Sequence, residues 1–127
     1  MYQTLDVFQT ASAMARHAGR RQTLVAQNIA NADTPGYQAR HIAAFSETYA
    51  KDPAQTMRAT RPGHMGTGPP GTTARPEPGT DEPAPNGNAV TLEQEMLNAV
   101  EVAREHRRAV TVYRSAMDII RMSIGRN

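Results

Sequence analysis

The feature that most restricts this chain is a run of apolar side chains near its C-terminus. Leu92, Met96, Ala99, Ala103, His106, Val110, Tyr113, Met117, Ile120 and Ile124 are separated by alternating steps of four and three, and His106 alone is polar. A sustained repeat of about 3.5 residues keeps one seam on one side of an α-helix and winds it left-handedly about a partner. The spacing predicts a helix over Thr91 to Ile124. Thr91 and Gln94 have capping-box spacing, Glu93 and Glu95 put negative charge at the positive end of the helix dipole, and Gly125 is suited to ending it. His106 reads most simply as a polar break that tunes register or partner choice, ahead of a proton-dependent switch.

Such a seam needs a partner, and the middle of the chain cannot supply one. Residues Pro53 to Ala89 hold eight of the nine prolines and six of the nine glycines, with almost nothing apolar. This composition predicts a flexible or extended connector. Gly66 to Gly71 (G-T-G-P-P-G) lacks the Gly-Lys-Ser/Thr ending of a phosphate-cradling loop.

The partner is expected at the N-terminus. From about Gln3 to Asn31, Val7, Ala11, Met14, Ala18, Val25 and Ile29 recur at helical spacing, and Phe8 and Leu24 widen the stripe. Small side chains dominate it, which allows close approach of a second helix. Arg16, His17, Arg20 and Arg21 fall on the polar face and read as solvated. With no aromatic residues interleaved for base stacking, a nucleic-acid surface is the weaker reading. Ile42, Phe45 and Tyr49 predict a short helix over His41 to Lys51, anchored by Phe45. The expected fold is all-α: two long terminal helices packed as an antiparallel, coiled-coil-like pair, with the short helix and the Pro/Gly-rich connector between them. The expected divisions are 1–33, 34–52, 53–89 and 90–127.

Between the first long helix and the short one, Asn28 to Tyr37 reads N-I-A-N-A-D-T-P-G-Y. Asn28, Asn31 and Asp33 compete for nearby backbone groups, so the helix should stop near Asn31. Thr34 is biased to extended geometry by the proline, Pro35 has its φ preset, and Gly36 permits positive φ, which together predict a type II turn closed by Tyr37. This string, with Asn28, Ile29, Asn31, Thr34, Pro35, Gly36 and Tyr37, resembles the N-terminal signature of the bacterial flagellar axial proteins, the rod, hook and hook-associated subunits. Asn86 to Met96 (N-G-N-A-V-T-L-E-Q-E-M) is similar to the segment opening the C-terminal helix of the short proximal rod subunits of that family, and Met117 to Gly125 is similar too.

The resemblance implies a structural subunit of the proximal rod that assembles by helical packing, not an enzyme. It implies neighbours among other rod subunits and copies of itself, the rod-base adaptor and the motor base. It also implies transit through the flagellar type III export apparatus without a cleaved signal, to a rod crossing the periplasm. The alternatives are the neighbouring short rod protein of the same family and, from another class, a cytoplasmic helical module binding nucleic acid.

The residues themselves favour no chemistry. With no cysteine there are no disulfides, thiolate metal sites or Cys nucleophiles. The net charge is only +2 although 13 of the 14 basic residues are arginine, so no strong field gathers polyanions. His41 and His64 lie far apart without supporting ligands. Ser46, Ser115 and Ser123 have no suggestive His and acid partners. No metal, cofactor, nucleic acid or small-molecule substrate is expected. The N-terminus lacks a basic start with an apolar run, and no stretch approaches a membrane span.

The seam generates a direct comparison. Ile120→Asp places a charge on the stripe and should block incorporation into basal bodies, whereas Arg121→Asp, one position off it, should be milder. Equal amounts of the two variants in fractionated basal bodies would rule out the assigned stripe.

Overall fold

The computed structural model describes residues 2–50 and 75–125; the rest of the connector, including Gly66 to Gly71 and His64, lies outside them. Five elements occur in order: α1 (Tyr2–Ala30), β1 (Arg40–His41), α2 (Phe45–Ala50), β2 (Glu77–Pro78) and α3 (Leu92–Ile124). The fold is mostly helical, and α1 and α3 pack against each other as expected. They run antiparallel: Asn28 bonds Glu95 near the turn, Arg21 pairs with Glu105 midway, and Phe8 meets Tyr113 edge-on farther out.

The seam between them is narrow because it is built from small side chains. Ala11, Ala18 and Val25, spaced by seven on α1, are buried, as are Val102, Ala109 and Ala116 of α3, while Ala13 is buried on the other side of α1. On α3 the buried line is Glu95, Val102, Ala109 and Ala116, spaced by seven. The buried line thus runs along one side of the expected stripe, one residue before Met96, Ala103, Val110 and Met117. Ala99, Ala103, Val110, Met117 and Ile120 are only half-buried, flanking the seam, while Leu92, Met96, His106, Tyr113 and Ile124 are exposed. The physical reason lies in α1: an alanine face admits the close approach of another alanine ridge, which displaces larger side chains to the flank. On α1, Ala11, Ala18 and Val25 are buried and Met14 half-buried, but Val7 and Ile29 are exposed.

Several local expectations also change. The short helix begins at Phe45 and not at His41, because Arg40 and His41 pair antiparallel with Pro78 and Glu77 in a two-residue ladder. Thr91 is the N-cap of α3 in extended conformation, yet its side chain makes no capping bond. Gln94 instead donates to Asn98, so no capping box forms. Gly125 ends the helix at φ −81° with its N–H on the Arg121 carbonyl, without the left-handed conformation.

The polar face of α1 divides. Arg21 forms a 2.7 Å ion pair with Glu105, both side chains largely shielded. His17 is buried, 1% exposed, with its ring edge-on to Phe45 at 5.5 Å. The Thr48 hydroxyl donates to the Ala44 carbonyl and sits 3.5 Å from His17 Nε2, so Nε2 is assigned as the protonated nitrogen. Nδ1 is then an acceptor, buried without a partner. Burial is the main cause that lowers the His17 pKa, with Arg21 and Arg20 adding to it and Glu105 opposing.

The sign of the consequence is fixed. Unfolded histidine titrates near about 6.5, and the folded value is lower, so between the two the unfolded chain binds more protons. Stability should be flat with respect to His17 above that pH and fall as pH drops through the folded value. Denaturant unfolding at neutral pH and near pH 5 should show this loss in the wild type and a smaller one in His17→Leu. An identical loss in both would exclude His17 as its source.

Candidate assembly site: the turn clasp and the exposed helix face

The turn after α1 forms as its residues dictate. Gly36 has φ +72° and the Tyr37 N–H reaches the Thr34 carbonyl at 3.3 Å, giving the i to i+3 closure of a type II turn. Asn31 turns back on its own helix: its amide donates to the Gln27 carbonyl, and its Oδ1 accepts the Thr34 hydroxyl. Thr34 and Pro35 are exposed at the tip, and Tyr37 is half-buried.

Asn28 is fully buried and uses its whole hydrogen-bonding capacity. Its Nδ2 donates to the Arg40 carbonyl at 3.0 Å and to Glu95 Oε2 at 3.2 Å. Its Oδ1 accepts the Arg40 N–H at 3.1 Å and the Tyr37 hydroxyl at 3.2 Å. Two donors and two acceptors around one amide fix its orientation. Through Arg40 the side chain pairs with the backbone as a neighbouring strand would. Glu95, 2% exposed, completes the cluster by accepting the Asn98 amide and lying 3.6 Å from His41 Nδ1.

A second buried asparagine closes the other side. Asn88 Nδ2 lies within 3.0 Å of the Asn31, Ala32 and Thr34 carbonyls just past α1, of which those of Asn31 and Thr34 also accept backbone N–H groups within the turn. Its Oδ1 accepts the Val90 N–H at 2.7 Å. Backbone bonds reinforce the join: Gly36 N to Asn86 O, Ala89 N to Tyr37 O, and Gly79 N to Ala39 O. Gly87 has φ +78°, and a Cβ there would stand 3.3 Å from the Gly36 Cα. The two glycines meet back to back. Residues 28–37 and 86–96, the two stretches that carry the resemblance, therefore interlock. Asn28 and Asn31 signalled a helix stop in the sequence, but the roles of Asn88, Glu95 and His17 carried no periodic signal, because each depends on a partner far along the chain.

The outer face of α3 is the other notable surface. Leu92, Met96, Leu97, Val100, Val112 and Ile119 are exposed, as are Met122 and Ile124 at the far end. These side chains stand among exposed arginines and carboxylates of the same helix, and large apolar side chains left together in water mark a contact surface. By contrast, the cleft of about 360 Å³ beside the clasp, lined in part by Arg21, Arg40, His41 and Asp81, carries charges of both signs. No nucleophile stands beside a base there. Among the described residues, no three His, Asp or Glu side chains gather where they could hold a metal ion. No described helix is long and apolar enough to cross a membrane.

The family model described as "Flagella basal body rod protein" matches residues 10–38, which run from the α1 seam through the turn. The chain is similar to the flagellar basal body rod protein FlgB of Agrobacterium fabrum, 30% identical over 132 residues, covering 98% of this chain and 96% of the relative. It is also similar to the FlgB of Yersinia enterocolitica, 32% identical over 107 residues, covering 73% of this chain and 74% of the relative.

Asn28→Asp should be far more damaging than its size suggests. It removes both amide donors and sets a carboxylate against the buried Glu95, a cost of about 3 to 5 kcal/mol by analogy with broken buried pairs. Glu95→Gln in the same background should recover part of that loss. Urea unfolding of the single and double variants measures the coupling. Strictly additive effects would exclude the direct Asn28–Glu95 contact.

Proposed function

The chain belongs to the flagellar basal body rod protein family, and from that membership we propose that it is a structural subunit of the proximal rod, the part of the drive shaft nearest the motor. Its work is mechanical and not enzymatic. Its neighbours are copies of itself, other rod subunits and the rod-base adaptor, and it reaches them through the flagellar export apparatus without a cleaved signal. The apolar outer face of α3 is the observation that carries this reading. Leu97 and Val100, 65% and 52% exposed, lie away from the α1 seam, and burying such side chains contributes about 2 kcal/mol each. That gain is available only from a neighbour. Leu92 and Met96, also exposed in the first turns of α3, extend the same surface. The clasp holds the two helices as one rigid unit, so torque received by one is passed to the other.

A subunit surface can be separated from a folding core by experiment. Leu97→Asp and Val100→Asp should leave the unfolding free energy of the purified chain within about 0.5 kcal/mol of wild type, yet remove the protein from isolated basal bodies and abolish motility. Normal incorporation of both variants would contradict the assignment of this face to assembly.

A further inference from the structure

We propose that Asn86 is a site of spontaneous covalent modification, its side-chain amide displaced by the Gly87 backbone nitrogen, and that the closed clasp suppresses the reaction. The product is an aspartyl or isoaspartyl residue in the middle of the join. The chain holds six asparagines, and Asn86 is the one followed by glycine. Without a Cβ, glycine leaves its nitrogen unshielded and its backbone free to turn toward the preceding side chain. Asn86 and Gly87 are both exposed, so water and hydroxide reach them.

The reaction needs nothing beyond water. The Gly87 nitrogen gives up its proton and bonds to the Asn86 Cγ, the Cγ–Nδ2 bond breaks, and the amide nitrogen leaves as ammonia with that proton. Water then opens the cyclic imide. Attack at Cγ leaves aspartate; attack at the backbone carbonyl carbon leaves isoaspartate, in which the main chain runs through Cγ and is one carbon longer.

The clasp opposes the first step. The Gly87 N–H donates to the Ala84 carbonyl at 2.7 Å and the Ala84 N–H to the Asn88 carbonyl at 2.8 Å, so the attacking nitrogen is tied into a closed loop. Gly87 is held at φ +78° against the Gly36 Cα. Asn86 Oδ1 accepts the Asn88 N–H at 3.0 Å, a bond that polarises the amide, so protection comes from the tied nitrogen and not from the carbonyl. Freeing that nitrogen breaks the Ala84 bond, and the reaction therefore runs through the locally opened state.

The product in turn opposes the clasp. In isoaspartate the former Asn86 carbonyl, which accepts the Gly36 N–H at 3.2 Å, becomes a carboxylate on a branch. The added carbon displaces Gly87 from Gly36 and Asn88 from the Asn31, Ala32 and Thr34 carbonyls. Closure thus protects Asn86, and chains that stay open lose the means to close. The proposal stands on the clasp alone and does not depend on the rod-subunit reading.

The test incubates the full chain in mildly alkaline buffer, native or in denaturing guanidinium chloride, and follows each asparagine by peptide mass spectrometry. Conversion at Asn86 should be about tenfold or more slower in the native protein. In the denatured chain Asn98, followed by alanine, should lag behind Asn86. Asn88→Ala removes the contact with the three carbonyls and leaves Asn86 and Gly87 in place. In native buffer, with its helicity checked by circular dichroism, it should convert faster than the wild type. Isoaspartyl chains, separated by reversed-phase chromatography, should unfold at lower urea than Asn86→Asp, whose main chain is unaltered. Equal rates in native and denatured wild type, or another asparagine converting first, overturns the proposal. An Asn88→Ala rate equal to that of the native wild type removes the clasp as the source of protection. Isoaspartyl chains as stable as Asn86→Asp would show that modification does not block closure.

Discussion

Everything beyond the first helix depends on one buried amide. Asn28 has no solvent to fall back on, so each of its four hydrogen-bonding positions must find a partner in the protein. Three of those bonds fix Tyr37 and both backbone groups of Arg40, which sets the path of the returning chain. The fourth reaches Glu95, which sets the rotation of α3 against α1. The same polar contact explains why the buried line of α3 begins with a glutamate. A carboxylate on the seam is tolerable because amides and an imidazole surround it.

Hydrophobic burial alone would have chosen a different face of α3. The stripe from Leu92 to Ile124 is the more apolar one, and periodicity pointed to it. Alanines in α1 and the Asn28–Glu95 bond instead draw Val102, Ala109 and Ala116 inward. The larger residues remain outside, where the molecule carries an apolar surface it does not need for its own fold. A thin alanine core and a rich exterior are two aspects of the same choice of register.

Much of the architecture was legible because it follows local rules. The two long helices, the stop at Ala30 and the Thr34 to Tyr37 turn with Gly36 at positive φ follow from spacing and backbone preference. What stayed hidden was set by pairing between distant residues. His17 looked like one more polar-face cation until Phe45 and Thr48 covered it. His41 looked helical until Glu77 came alongside. Asn88 sat at the end of a Pro/Gly stretch with no hint that it would bind three carbonyls. The apolar stripe was seen correctly as apolar, but its facing depended on the partner helix.

The Asn88 contact has a consequence for how the protein is made. The carbonyls of Asn31, Ala32 and Thr34 share an amide that lies more than fifty residues downstream. A ribosome delivers α1 and its turn long before it delivers that amide, and a chain cut short before Asn88 never receives it. Such a fragment keeps the local bonds of the turn but has neither the Asn88 amide on its carbonyls nor Gly87 against Gly36. The latch thus ties closure of the clasp to completeness: it can form only on chains whose translation has passed the connector.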